Sequence, residues 1–223
     1  MTPRRRRTDH ELEQEITDEL NWTPTVTADR IGVSLSHGAV TLSGQVETFP
    51  EKDAAVRAAM RVRGVTAVAD EITVLHSWSI PDDTMIARDA IDAFERSVVV
   101  PSGAVQVRVS DHWVTLSGTV EWNYQRQAAH DAVAGLSGVS GVRNLIELKP
   151  SVVVSPAEAK AKITTALGRN AQMDADRVRV AVSGTEVRLT GSVSSWAERR
   201  QAESAAWFAP GVTEVHNHID VTS

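Results

Sequence analysis

The sequence predicts an α+β protein made of three small domains in tandem, each in the order helix, strand, strand, helix, strand. Three observations carry this. Gly44, Gly118 and Gly191 stand 74 and 73 residues apart, and Gly64, Gly138 and Gly211 keep the same two offsets. So do Val65, Val139 and Val212, and Ile72, Ile146 and Ile219. A fixed offset shared by this many positions is an internal repeat. Within each copy, apolar residues recur every four positions in two stretches and every two positions in three others, the periods of helix and strand.

The first helix carries Leu12, Ile16 and Leu20, matched by Ile86, Ala90, Phe94 and by Ala159, Ile163, Leu167. Ser155-Pro156 before the third copy suits an N-cap followed by a proline at the first helical position. Ile31, Val33 and Leu35 then alternate, as do Val105, Val107, Val109 and Val178, Val180, Val182. A short polar turn (His37-Gly38, Asp111-His112, Gly184-Thr185) leads into a second strand, making a hairpin. That second strand reads VTLSG at 40–44 and 114–118, and VRLTG at 187–191. The second helix begins near Glu51, Gln125 and Glu198. Its inward stripe is mostly alanine: Ala55, Ala58, Ala59, Val62, then Ala129, Ala132, Val133, Leu136, then Ala202, Ala205, Ala206, Ala209. A glycine-valine pair ends it, and the last strand passes through Ile72, Ile146 or Ile219. A glycine on the buried side of a strand contributes no packing. Opposite an alanine-rich helix, it reads as a device for close helix approach or as a bulge. A phosphate cradle is disfavoured, because no GxGxxG or GxxxxGK[ST] surrounds it.

The pattern "I-x-V-x-L…G-x-V-T-L-S-G-x-V…A-x-x-A…G-V-x-x-V-x-[DN]-x-I-x-V" resembles the BON domain of OsmY-like osmotic-stress and envelope proteins. The resemblance covers 8–76, 82–149 and 155–222, after a basic, disordered tail at 1–7. It implies three two-layer α/β sandwiches, each with a three-stranded mixed sheet covered on one face by two helices. It also implies a non-enzymatic role: association with anionic phospholipid or envelope assemblies under osmotic stress. A chaperone-like or scaffold protein is the alternative, and an ion or metabolite sensor a more distant one.

Composition narrows the chemistry. Without cysteine there are no disulfides, thiolate metal sites or thiol catalysis. No signal-like apolar run of roughly 7–15 residues follows the basic start, and nothing approaches the roughly 18 of a membrane span. The expected location is therefore cytoplasmic, with peripheral contact at a membrane. Arginine outnumbers lysine 19 to 4, which reads as a GC-rich bacterial coding bias. No nucleophile elbow, HExxH or Walker loop occurs, so neither an enzyme nor a cofactor is expected.

Charge is uneven: +4 over 1–7, −7 over 8–76, −3 over 77–149 and zero over 150–223. Anionic lipid attracts basic clusters, so the third domain is the electrostatic candidate. Arg179 and Arg188 fall at outward hairpin positions, with Arg177, Arg199 and Arg200 extending the patch; solvated surface charge is the plainer reading. The acidic body argues against dedicated nucleic-acid binding. Trp113, placed at a hairpin turn, and Trp122 and Trp196, before second helices, could anchor a membrane interface or partner, or pack. Trp78 lies in a linker. His216 and His218 share one strand face with Asp220, a weak metal candidate.

Overall fold

The structure, a computed structural model, describes residues 8–36, 39–75, 81–151, 154–169 and 177–222. The tail at 1–7, the His37-Gly38 turn and Trp78 lie outside them. Each repeat folds in the expected order. The first comprises α1 (Asp9–Trp22), β1 (Ile31–Ser36), β2 (Ala39–Val46), α2 (Phe49–Arg61) and β3 (Ala67–Val74). The second comprises α3 (Asp83–Arg96), β4 (Val105–Ser110), β5 (Trp113–Val120), α4 (Asn123–Ala134) and a last strand in two pieces, β6 (Gly141–Asn144) and β7 (Glu147–Leu148). The third comprises α5 (Pro156–Gly168), β8 (Val178–Ser183), β9 (Glu186–Val193), α6 (Trp196–Trp207) and β10 (Glu214–Val221). The described residues up to 75 form one compact unit and those from 81 to 222 another.

Each sheet is mixed. The hairpin strands pair antiparallel, and the last strand adds parallel to the central one. A parallel addition needs a crossover, which the second helix supplies. The core of the first domain lies between helices and sheet, with Ile16, Val40, Leu42, Val46, Ala55, Ala58 and Ala59 fully buried. In the second, Ile86, Ala90, Val114, Leu116, Ala129 and Val133 take those places, and in the third Ile163, Val187, Leu189, Ala202 and Ala206 are buried likewise. The alanine stripes bring the second helices close to the central strands, as their spacing implies.

The second helices start two residues earlier than expected. Their N-caps are Thr48, Trp122 and Ser195, and Glu51, Gln125 and Glu198 sit at the third helical position. From there each side chain reaches back to backbone amides before the helix. Gln125 Oε1 accepts from Glu121 N (3.1 Å) and Trp122 N (3.0 Å). Glu198 Oε2 accepts from Ser194 N (3.1 Å). Glu51 accepts from Thr27 N (2.8 Å) and Glu47 N (3.1 Å) and is buried. Burial alone would raise the Glu51 carboxyl. The hydrogen bonds from Thr27 and Glu47, with the charge of Arg30, outweigh that and hold it below the usual range.

The repeat glycines have a cause the sequence reading did not identify. Gly44, Gly118 and Gly191 adopt φ of 130°, 123° and 126°. A Cβ at Gly44 would lie 2.1 Å from the Arg30 carbonyl oxygen; at Gly118, 2.1 Å from that of Ala104; at Gly191, 1.9 Å from that of Arg177. The obstruction is the backbone entering the hairpin, not the helix. Nor is there a bulge, since Gly44 pairs with both Ile31 and Ile72 in unbroken register. The glycine marks the place where the first strand begins, beyond which the central strand continues alone beside the last. Gly64, Gly138 and Gly211 also have positive φ, in the turn between second helix and last strand.

The open edge of the last strand is held by a cation on the second helix. Lys52 Nζ donates to Ile72 O (2.6 Å) and pairs with Asp70 (3.3 Å). Arg199 donates to Ile219 O (3.0 Å) and Asn217 O (2.6 Å).

Two outcomes are expected. Gly44→Ala destabilises the first domain by about 3 kcal/mol, from a forbidden φ and a backbone clash. Gly168→Ala, which meets nothing within 4 Å at the end of α5, stabilises the third slightly, by up to about 1 kcal/mol. Hydrogen exchange on the corresponding peptides measures both. The depressed Glu51 pKa contributes stability that is present above the unfolded value of about 4.3 and is lost as pH falls through the lower folded value. Glu51→Gln should therefore flatten the first domain's acid-unfolding profile in that window.

Candidate functional site

In all three domains the helices cover one sheet face and leave the other to solvent. In the third domain the outward side chains follow from the register. Arg188 on β9 lies between Ala181 on β8 and His216 on β10. In the next row Thr190 lies between Arg179 and His218. Neighbouring strands are about 4.8 Å apart, so two guanidinium groups and two imidazoles share one patch. Arg179, Arg188 and His218 are exposed and His216 is half-buried. The imidazoles stack, with centroids 6.2 Å apart and planes at 10°. His216 Nε2 lies 3.2 Å from Glu214 Oε1. Acidic groups bound the patch, Glu186 and Glu214 in one row at one end and Asp220 at the other.

This arrangement can offer positive charge to a broad anionic surface. Among the described residues, no group of three or more histidine, aspartate or glutamate side chains is placed to hold a metal ion. The stacked His216 and His218 share their face with Arg179 and Arg188.

The structure divides the remaining site candidates. Arg177 is exposed just before β8, and its carbonyl oxygen is the one facing Gly191. Arg199 and Arg200 do not extend the patch: both lie on α6, in the opposite layer, and Arg199 is committed to β10 carbonyls. The Arg199 guanidinium also covers the Trp196 ring at 4.9 Å. Trp196 is the first residue of α6 and half-buried. Trp122 is half-buried at the α4 N-cap and stacks on Tyr124, centroids 6.3 Å apart. Trp113 is not at the turn tip. The tip is Asp111-His112, both at positive φ, and Trp113 opens β5. Asp83, at the start of α3, holds that turn by accepting from Asp111 N and His112 N at 2.9 Å each.

One contact had no reading in the sequence. Arg126 occupies in the second domain the place of Lys52 and Arg199. Its guanidinium lies 4.7 Å from the ring centroid of Trp207, at the end of α6 in the third. Burial lowers its pKa. The equivalent positions could have marked it as a buried cation, but nothing local to Trp207 pairs it with a residue 81 positions earlier.

The BON domain family model matches residues 8–76, 82–150 and 155–223. Osmotically-inducible protein Y of Escherichia coli (strain K12) is 32% identical over 124 residues, covering 53% of this chain and 62% of that protein. The chain thus matches somewhat under two thirds of that relative's length. Among solved structures, CdsD, a structural protein of the type III secretion system of Chlamydia trachomatis, aligns over 95% of this chain and 92% of that one. The identity is 15% and the TM-score 0.28. The C-terminal domain of CdsD aligns over 97% and 100%, at 14% identity and the same TM-score. A likeness at that level carries no structural argument.

The Arg126–Trp207 contact has a measurable role. Arg126→Met keeps the aliphatic stem and removes the cation, a loss of about 0.5–2 kcal/mol for a partly desolvated cation–π pair. The expected result is faster proteolysis of the 149–155 connection and separate melting of the second and third domains.

Proposed function

This chain belongs to the BON domain family, and from that premise we propose that it is a non-enzymatic binding protein that attaches peripherally to anionic phospholipid surfaces during osmotic stress. The stress assignment rests on its relative, which by its name is osmotically inducible. The binding assignment rests on one observation, the outward patch of Arg179, Arg188, His216 and His218 on the third sheet. Phospholipid headgroups concentrate negative charge, and each basic residue near such a surface is worth about 1 kcal/mol. Attachment of this kind needs no spanning segment. Among the described residues, no helix is long and apolar enough to cross a membrane.

A charge-led contact fits better than capture of apolar clients, because the open sheet faces carry threonine, serine and arginine at their centres. Thr41, Ser43, Thr115, Ser117 and Thr190 occupy those positions on the central strands.

Co-sedimentation with phosphatidylglycerol vesicles, against phosphatidylcholine controls, tests the proposal. The full chain is expected to pellet with the anionic vesicles at low salt and to be released as salt screens the contact. Arg179→Glu with Arg188→Glu should weaken binding about tenfold or more. Absence of anionic-vesicle binding at low salt would overturn the proposal.

A further inference from the structure

We infer a second lipid-facing site, on the outward sheet face of the second domain, centred on a row of Arg108, Thr115 and Arg143 with Trp113 beside it. The inference rests on the phospholipid reading above and extends it to a domain that its net charge of −3 would exclude.

The row is fixed by backbone register. Thr115 on the central strand pairs with Arg108 on β4 and with Arg143 on β6. Two arginines therefore flank one threonine at successive strand spacings of about 4.8 Å. Both arginines are exposed, and neither has a hydrogen bond or ion pair among the described residues. Guanidinium groups bind phosphate oxygens through directed pairs of N–H donors, and the Thr115 hydroxyl between them is a further donor.

Trp113 lies in the adjacent row, opposite Gly141. A Cβ at Gly141 would come within 2.6 Å of the indole ring, so the ring rests on the glycine backbone. It remains 50% exposed. An indole held in place with one side open suits the headgroup boundary of a bilayer, where tryptophan is enriched. Leu145, 56% exposed, follows Arg143 by two residues on the same face. The face thus joins two unengaged cations to an aromatic and an aliphatic group. A soluble phosphate would use the cations alone, so the occupant assigned is an anionic bilayer surface.

Part of the domain's acidic charge lies in the helical layer. Asp83, Asp89, Asp92 and Glu95 are all on α3, in the helical layer. Glu147, opposite Thr119, lies at the far end of the outward face, and the exposed Asp111 stands at the hairpin tip near Trp113. Arg108 and Arg143 thus form a local basic row within a domain of net negative charge.

The test uses the full chain and phosphatidylglycerol vesicles. Arg108→Glu with Arg143→Glu is compared with Arg88→Glu with Arg96→Glu, an equal charge change on exposed α3 positions. The sheet pair is expected to weaken binding about tenfold or more, and the helix pair far less. Trp113→Phe, which keeps a ring over Gly141, should weaken binding severalfold, and Trp113→Ser more; circular dichroism checks that each variant is folded. Equal loss from the two charge-reversal pairs, or no loss from the sheet pair while the wild type binds, overturns this site and leaves the phospholipid reading standing. Failure of the wild type to bind ends both. Inorganic phosphate that raises the melting temperature of the wild type but not of the sheet pair, without vesicle binding, would reassign the row to a soluble anion.

Discussion

Everything in this fold depends on a backbone crossing at the end of each hairpin. The carbonyl oxygens of Arg30, Ala104 and Arg177 come so near the central strand that no side-chain atom fits at Gly44, Gly118 or Gly191. Past that point the first strand gives no partner, while the central strand runs two residues further against the last strand, to Val46 and Val193. Those extra residues bring Val46, Val120 and Val193 into the core. They also deliver the chain to the caps at Thr48, Trp122 and Ser195.

The crossing also determines what is left for function. Two helices close one side of each sheet, and their alanine stripes leave little depth there for a ligand. The other side is released from packing. Its outward positions change in charge between copies, whereas the buried ones stay apolar. The first domain presents Ser34, Thr41 and Ala69 in the row where the second presents Arg108, Thr115 and Arg143, and the third Ala181, Arg188 and His216. One scaffold thus carries three faces of different charge. Net charge per domain is a poor guide to them, because in the acidic second domain two arginines still share one row of the sheet.

Most of the fold was legible in the sequence because it is written three times. Periodicity located the helices and strands, and the offsets located the repeats. The second helices began early because Glu51, Gln125 and Glu198 look like helix starts and are in fact third residues reaching back to cap. The glycines were recognisable as structural, but their cause was not: a carbonyl approaching across a strand pair leaves no trace in hydropathy. Of the site, the outward placement of Arg179 and Arg188 followed from simple alternation. Arg199 and Arg200 were expected to extend that patch, but both belong to α6 and so to the opposite layer. The Arg126–Trp207 pair and the seating of Trp113 on Gly141 were out of reach, since both depend on which residues a long crossover brings together.

Lys52 and Arg199, which bond the outer carbonyls of the last strands, have a consequence for a chain of this design. Three similar sheets joined by short connections meet one another at high effective concentration while they fold, and an unguarded edge invites one copy's hairpin to add to a neighbour's sheet. A charged side chain seated on that edge makes such an addition expel a cation from its bonds and bury it. The two clamps therefore act against such additions at the first and third sheets.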